Sequence, residues 1–413
     1  MSEDEPPLLH AFMGCGIELE YMIVDEALSV LPVADRLLVD DDGNAGNEVE
    51  RGRMGWSNEL VLHVIEVKNL RPTASLNLLP DAFQAEVHEI NRRLRPLGGR
   101  LMPGGMHPWM NPDTDTRLWP HGNDAIYRTY DRIFDCRGHG WSNLQSMHIN
   151  LPFGDDQEFA RLHAAIRLAL PILPALAASS PFADGRGTGW MDYRMHVYAN
   201  NANRLPSIAG LIVPETITSR ADYAEHILAP MYRDIAPFDP ENVLQHEWLN
   251  SRGAIARFER NAIEIRVLDT QECPRADLAV AAAVVELVRA LYHADMLFEQ
   301  QELPTAPLAA ILQDCIRSAD QAEIANGTYL RLLGYSGERC TAGELWRHLI
   351  ERMLSDEPRH LQHWGVPLQT IITHGPLARR LVRAAGEQPT LWQLKTVYRR
   401  LCDCLEAGQV FVP

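Results

Sequence analysis

Apolar and polar residues alternate along Gly16-Ile17-Glu18-Leu19-Glu20-Tyr21-Met22-Ile23-Val24, and Asp25-Glu26 closes the run. Such a period of two predicts a β-strand with Glu18 and Glu20 on one face and Ile17, Leu19, Tyr21 and Ile23 on the other. A second strand is expected over Glu59–Lys68, too apolar for a sheet edge. In Trp141–Leu151 alternation groups Ser146, His148 and Asn150 against Met147, Ile149 and Leu151. In Phe258–Asp269 it groups Glu264 with Arg266 against Ile263, Ile265 and Val267. A short strand ending in a Gly/Pro loop is expected over Leu101–Trp109, and a loop or irregular hairpin over Val39–Gly55.

Helical periodicity predicts helices over Leu79–Leu97, stopped by Gly98-Gly99, and over Gln157–Ala178, divided by Pro171 and Pro174. A further helix is expected over Asp277–Phe298, and most of 306–407 is helical in pattern, clearest at Leu345–Leu354 and Thr390–Leu405. Between Asn200 and Asn250 no period is clean. Strands with helical interludes followed by a helical region define an α+β protein. One catalytic unit is expected over 1–413, with a sheet-bearing core at about 14–300 and a helical C-terminal region at about 301–413.

Composition narrows the partners. Hydrophobic residues at 46% and charged residues at 23% are ordinary for a globular chain. A net charge of −17 with no Lys/Arg-dense run argues against a nucleic-acid partner. The seven cysteines are scattered and lack Cys-x-x-Cys spacing, which suits reduced thiols in the cytosol. The opening MSEDEPPLL has no signal-peptide pattern and no later run approaches a membrane span, so a cytoplasmic protein without a membrane partner is expected. Self-association into a homo-oligomer is neither required nor excluded.

The chemistry lies in the polar faces of the strands. Glu18 and Glu20 stand roughly 7 Å apart along their strand, and inside a sheet two such carboxylates demand a cationic partner. Glu59 and Glu66 add two acids, but their spacing of seven puts them on opposite faces of a straight strand. A bulge or turn is needed if both serve one site. With His148, Asn150, Glu264 and Arg266, these residues form a carboxylate-rich surface able to hold Mg²⁺ against ATP phosphates, with Arg adding charge for a moving phosphoryl group. There is no Walker A sequence, so a nucleotide would be bound through metal and sheet side chains.

These segments together resemble the glutamate–cysteine ligases and their carboxylate–amine ligase relatives. Gly16-Ile17-Glu18-Leu19-Glu20 is similar to the family's Gly-x-Glu-x-Glu strand, and Glu59 and Glu66 to two acids that follow it. Ser146-Met147-His148-Ile149-Asn150 resembles the His-containing strand. Ala178-Ser179-Ser180-Pro181-Phe182 with Gly185, Thr188 and Arg194 resembles the Ala-x-Ser-Pro and Arg segment, and Ile263–Asp269 the Glu-x-Arg strand. The resemblance, in family order over about 14–295, implies a glutamine synthetase-like, mostly antiparallel sheet with a concave active-site face. It implies ATP and Mg²⁺, or Mn²⁺ in its place, and small-molecule substrates. Glu18, Glu20, Glu59, Glu66, His148 and Glu264 become candidate metal ligands. Glu264 and Arg266 become candidate catalytic residues, and Arg194, Arg257, Arg266 and His148 candidates for holding nucleotide or substrate. The carboxylate–amine ligase branch carries His-x-His where this chain has Ser146-Met147-His148, so the acceptor of neither branch transfers directly.

The expected reaction is ATP-dependent amide formation between a carboxylate, the γ-carboxylate of glutamate first, and an amine, cysteine among the candidates. Two rivals stand: a phosphotransferase that stops at a phosphorylated product, and a non-catalytic sensor on the same fold. Glu264 and Arg266 could also be a simple same-face ion pair, Glu59 a solvated strand start, and His107 a structural residue.

Overall fold

A computed structural model of the chain describes residues 8–39, 43–356 and 358–413. Residues 1–7 of the acidic opening and 40–42 of the expected loop lie outside the described residues.

The strands are β1 (Gly16–Asp25), β2 (Glu48–Arg51), β3 (Met54–Asn58), β4 (Val64–Asn69), β5 (Gly99–Met102), β6 (Ser146–Pro152), β7 (Phe182–Ala183), β8 (Arg186–Gly187), β9 (Ala254–Arg257) and β10 (Ala262–Asp269), with a short antiparallel pair, β11 (Glu323–Ile324) and β12 (Cys340–Thr341), in the helical C-terminal region. The main sheet runs β2-β3-β4-β1-β6-β10-β9, with β5 added to β1, while β7 and β8 form a separate hairpin. All its pairings are antiparallel. The α+β expectation and the antiparallel sheet are therefore both met.

Ile17, Leu19, Tyr21 and Ile23 of β1, Met147, Ile149 and Leu151 of β6, and Ile263 and Ile265 of β10 are fully buried on one face. They share a core with the helices Pro80–Leu94, Asp156–Ala169 and Pro274–His293. The helical run Asp156–Ala177 is long and apolar enough to cross a membrane, with a mean hydropathy of 1.4, contrary to the expectation that no run approaches a span. Its apolar window is 94% buried inside the protein. The run packs as a core element, with a 3₁₀ turn at Leu170–Ile172 where Pro171 interrupts the α-helical bonding.

The other face of β1 divides in two. Glu18 and Glu20 open onto a pocket, whereas Met22 and Val24 on the same face pack beneath the C-terminal helices Leu377–Ala385 and Leu391–Ala407, against Leu377, Leu381, Leu394, Val397 and Leu401. Alternation fixed the face; the C-terminal helices decide how far along it water can reach.

Three strand boundaries differ from expectation. Glu59–Lys68 is not one strand: residues 60–63 leave the sheet because Leu62 donates to the Arg117 carbonyl and Trp119 to the Leu60 carbonyl, each at 2.9 Å. Apolar residues there serve pairing with a distant segment, and β3 and β4 become the arms of a hairpin. Trp141 lies in the helical turn His139–Ser142 ahead of β6. Phe258–Arg260 is a 3₁₀ turn joining β10 to the unforeseen β9, closed by Asn261 at φ 50°.

Past β10, Glu272 and Arg380 form a fully buried ion pair at 2.5 and 3.3 Å. The amide of Phe411 donates to Glu272 at 3.1 Å and the Phe411 carbonyl accepts from Arg380. This pair ties the chain's last residues to the sheet. Arg380→Met should cost about 3–5 kcal/mol because it strands a buried carboxylate; an unchanged midpoint in thermal and urea melts would contradict that role.

Candidate active site

The acidic face is assembled by strand register. Glu18 on β1 stands opposite Lys68 of β4 and His148 of β6, and Glu20 stands opposite Glu66. Glu59 arrives from the end of β3, so the hairpin turn at 60–63 supplies the reversal that a straight strand could not. Glu18, Glu66 and His148 form one group, and Glu20, Glu59 and Glu66 a second; within each, one ligand atom per residue lies within 4.8 Å of the others. Two adjoining groups that share Glu66, mostly of carboxylate oxygens, fit hard divalent cations. Ser57 Oγ donates to Glu66 at 2.6 Å and Lys68 Nζ lies 3.4 Å from it, which leaves the face only partly neutralised.

The electrostatics register that deficit. Burial and the Glu18 charge push the Glu66 carboxyl up to about 7. Enclosure by the pocket, with Glu20, Glu66 and Glu18 nearby, raises Glu59 well above the ordinary carboxylate range. Burial also works against the charged forms of His148 and Glu18, yet their mutual hydrogen bond prevails: His148 is raised and Glu18 lowered. The imidazole Nδ1 lies 3.0 Å from Glu18 and 3.9 Å from Glu264, and Nε2 lies 2.9 Å from Ser146 Oγ. When protonated, His148 joins Lys68 as a cation among these acids.

Glu264 takes a different position from the other five candidate ligands. Its Oε1 accepts from Arg266 Nε at 3.0 Å and its Oε2 from Arg257 Nη1 at 2.9 Å. Burial opposes its ionisation, but Arg266, His148 and Arg257 hold it below the ordinary range. Both arginines border the pocket. One residue beyond Arg266 the register slips: Ile265 pairs with Ile149 and Leu268 with Met147, a β-bulge. Without that extra residue Leu268 would share the face of Glu264; with it Leu268 turns to the core and Asp269 pairs with Ser146 at the pocket end. Asp269 accepts from the Ser179 amide at 2.7 Å, from Ser180 Oγ at 2.8 Å and from Arg194 Nε. Arg194 thus borders the pocket with its Nε committed to Asp269. Gly105 permits the approach, since a Cβ there would lie 2.5 Å from the Asp269 carboxyl carbon.

A cavity of about 570 Å³ is lined by all nine predicted residues: Glu18, Glu20, Glu59, Glu66, His148, Arg194, Arg257, Glu264 and Arg266. Its other wall was missed: Tyr127 and Tyr130 from the helix Asp124–Phe134, with Trp141, Tyr198 and Trp248 from loops and short helices. No strand period marks those residues, and only the clustering of aromatics in polar stretches could have flagged them. Lys68 was also missed, although alternation places it on the face of Glu66. His107 is structural: its ring bonds the Leu28 carbonyl at 2.9 Å and burial holds it down at about 4.

Solved structures share this architecture. A glutamate–cysteine ligase from Francisella tularensis in complex with AMP superposes with a TM-score of 0.60 at 12% identity, covering 94% of this chain and 88% of that one. A bifunctional glutathione synthetase from Pasteurella multocida gives 0.58 at 16% identity, covering 96% of this chain and 52% of that one. At these identities the likeness defines the class of fold, that of the glutamate–cysteine ligases. The family model of glutamate–cysteine ligase family 2 (GCS2) matches residues 14–395, and the chain belongs to that family. An uncharacterized protein of Archaeoglobus fulgidus is 36% identical over 74% of this chain and 80% of its own length. A Bradyrhizobium diazoefficiens protein named "Putative glutamate--cysteine ligase 2" is 27% identical over 67% of this chain, and the match spans 59% of that relative's length. The chain is thus a member of a ligase family, and it spans about three fifths of the length of the named relative.

The raised groups set a pH dependence. Glu66, moved from 4.5 to about 7, binds its proton more tightly folded than unfolded, and Glu59 and His148 shift in the same direction. Between those two pH values these groups hold more protons in the native state, so their contribution to stability should fall as pH rises through the window, while the buried His63, His107 and His163, held down at about 4, contribute in the opposite sense. Urea melts in EDTA at about pH 5 and about pH 7.5, wild type against Glu66→Gln, isolate the carboxylate: wild type should lose stability relative to the variant as pH rises, and an added hard divalent cation should reduce that loss. A difference between wild type and variant that stays constant, or moves in wild type's favour, would contradict the Glu66 shift.

Proposed function

We propose that the protein is an ATP- and Mg²⁺-dependent ligase that joins the γ-carboxylate of glutamate to an amine, with cysteine the first acceptor to test. The observation that carries this reading is the convergence of two carboxylate-rich groups sharing Glu66 with Arg266 and Arg257 across one cavity. Glu18, Glu66 and His148 would hold one ion and Glu20, Glu59 and Glu66 another; bound Mg²⁺ supplies charge neutralisation at the nucleotide phosphates. AMP in the Francisella neighbour supports a nucleotide for this cavity as well. Sheet and C-terminal region would act as one catalytic unit, since the C-terminal helices cover Met22 and Val24 beside Glu20.

In this reaction a γ-carboxylate oxygen attacks the γ-phosphorus of ATP and ADP leaves. The amine nitrogen then attacks the acyl carbon, phosphate departs with the bonding pair, and the nitrogen gives up a proton. Arg266 would stabilise charge on the moving phosphoryl group through its planar fork. Glu264, which grips Arg266 and Arg257, holds both toward the cavity; with its oxygens on the two arginines it stands outside the two metal groups, 3.9 Å from His148. Arg194 would support the pocket end through Asp269. The aromatic wall of Tyr127, Tyr130, Trp141, Tyr198 and Trp248 suits a nucleotide base or the non-reacting part of a substrate.

The deciding experiment measures ADP release with glutamate and Mg²⁺ across a panel of amino acids and amines, with mass spectrometry of the product. Amine-stimulated ADP release with an amide product is expected. A phosphorylated product independent of amine would favour the phosphotransferase, and no ADP with any amine would favour the sensor. Glu20→Gln should lower turnover by at least about 10²-fold with little change in melting; wild-type turnover would remove β1 from the site.

Arg266→Lys keeps the charge beside Glu264 but loses the fork. If Arg266 contacts the phosphoryl group, kcat should fall by about 10²-fold or more, with KM for ATP changed less. A fall below about threefold would return Arg266 to an ion-pair role.

A further inference from the structure

Ser146 touches one member of each metal group, Glu20 of one and His148 of the other. It is 5% exposed and is the first residue of β6, opposite Asp269. Its amide donates to Glu20 Oε2 at 2.7 Å and its hydroxyl lies 3.0 Å from the same oxygen. The same hydroxyl lies 2.9 Å from His148 Nε2. A serine hydroxyl has one hydrogen to give and lone pairs to accept with. Glu20 Oε2 already accepts the Ser146 amide, and a carboxylate oxygen has no hydrogen to give, so the hydroxyl hydrogen goes to Glu20 and the serine oxygen accepts from the ring. Nε2 must then carry a proton. The Nδ1 nitrogen, on the Glu18 side at 3.0 Å, is left as the ligand atom once that carboxylate turns to a metal.

Resting on the metal reading above, we propose that Ser146 is the positioning residue that couples the two metal groups. It fixes His148 as the Nε2–H tautomer with Nδ1 toward the Glu18–Glu66 group, and it clamps one oxygen of Glu20, leaving Oε1 for the Glu59–Glu66 group. Metal-ligating histidines commonly have the other ring nitrogen held in this way, and loss of such a partner weakens metal binding by roughly 10–100-fold. The serine matters as a hydroxyl of fixed reach. It reaches both Glu20 and His148, whose Oε1 and Nε2 lie 3.8 Å apart, and the backbone amide at the same residue fixes where the clamped oxygen lies.

The test reads Mn²⁺ binding to the full chain by electron paramagnetic resonance, without nucleotide, for wild type, Ser146→Ala and Ser146→Thr. Ser146→Ala should bind Mn²⁺ roughly 10–100-fold more weakly, and Ser146→Thr, which keeps the hydroxyl, within about threefold of wild type. Equal affinity of wild type and Ser146→Ala would overturn the positioning role while leaving the metal site standing. Absence of Mn²⁺ binding by wild type would overturn the metal reading and this inference with it. Should Ser146→Ala fail to fold, ¹⁵N NMR of the His148 ring in the Mg²⁺-loaded wild type decides: a proton on Nε2 supports the assignment and a proton on Nδ1 overturns it.

Discussion

Mutual repulsion among Glu18, Glu20, Glu59 and Glu66 is the constraint on which the rest of this molecule depends. Four carboxylates are drawn together where water is scarce, and their charge exceeds what Lys68 and His148 return. Protons make up part of the shortfall, as the raised Glu59 and Glu66 show. Such an arrangement persists only because the sheet over-determines it: the opposite faces of β1, β6 and β10 are fully buried against three helices, and a one-residue slip would carry those apolar side chains toward the pocket. The acidic surface is thus stabilised from behind, by packing that has no part in the chemistry. A cation is favoured because it relieves a strain that the fold itself maintains.

The two arginines are kept apart from this cluster by their ion pairs with Glu264 and by a bulge. Glu264 holds Arg266 and Arg257 at the β9–β10 side, so the arginines face the cavity without collapsing onto the acids of β1 and β4. The bulge after Arg266 makes the arrangement possible. It lets β10 place Glu264 and Arg266 on the pocket side, return Leu268 to the core, and still bring Asp269 beneath Arg194. A regular strand with Glu264 and Arg266 on the pocket side could do neither of the other two, because alternation would have set Leu268 in the pocket and Asp269 in the core.

The boundary of the site is drawn by elements far away in the chain. The C-terminal helices dry the continuation of the acidic face at Met22 and Val24, and the Arg380–Glu272 pair fastens the last residues to the end of β10. On the opposite side, the helix carrying Tyr127 and Tyr130 faces the acids across the cavity. The sheet thus supplies the charge of the cavity, and the loops and short helices supply its walls.

By itself the sequence determined what depends on alternation: Glu18 with Glu20, His148 with Asn150 and Ser146, and Glu264 with Arg266 each share a face because a strand's period is two and needs no partner to define it. It also determined the family likeness, since those short segments keep their order. Tertiary structure alone decided the rest. Glu59 and Glu66 join one site because residues 60–63 pair with 117–119, which turns the chain between them. Arg194 lies against Asp269 because a bulge moves that carboxyl to the pocket end, and Ser146 reaches both Glu20 and His148 because β6 meets β1 in that register. Register, turn closure and the docking of loops are set by contacts between residues distant in sequence, and a local period carries no record of them.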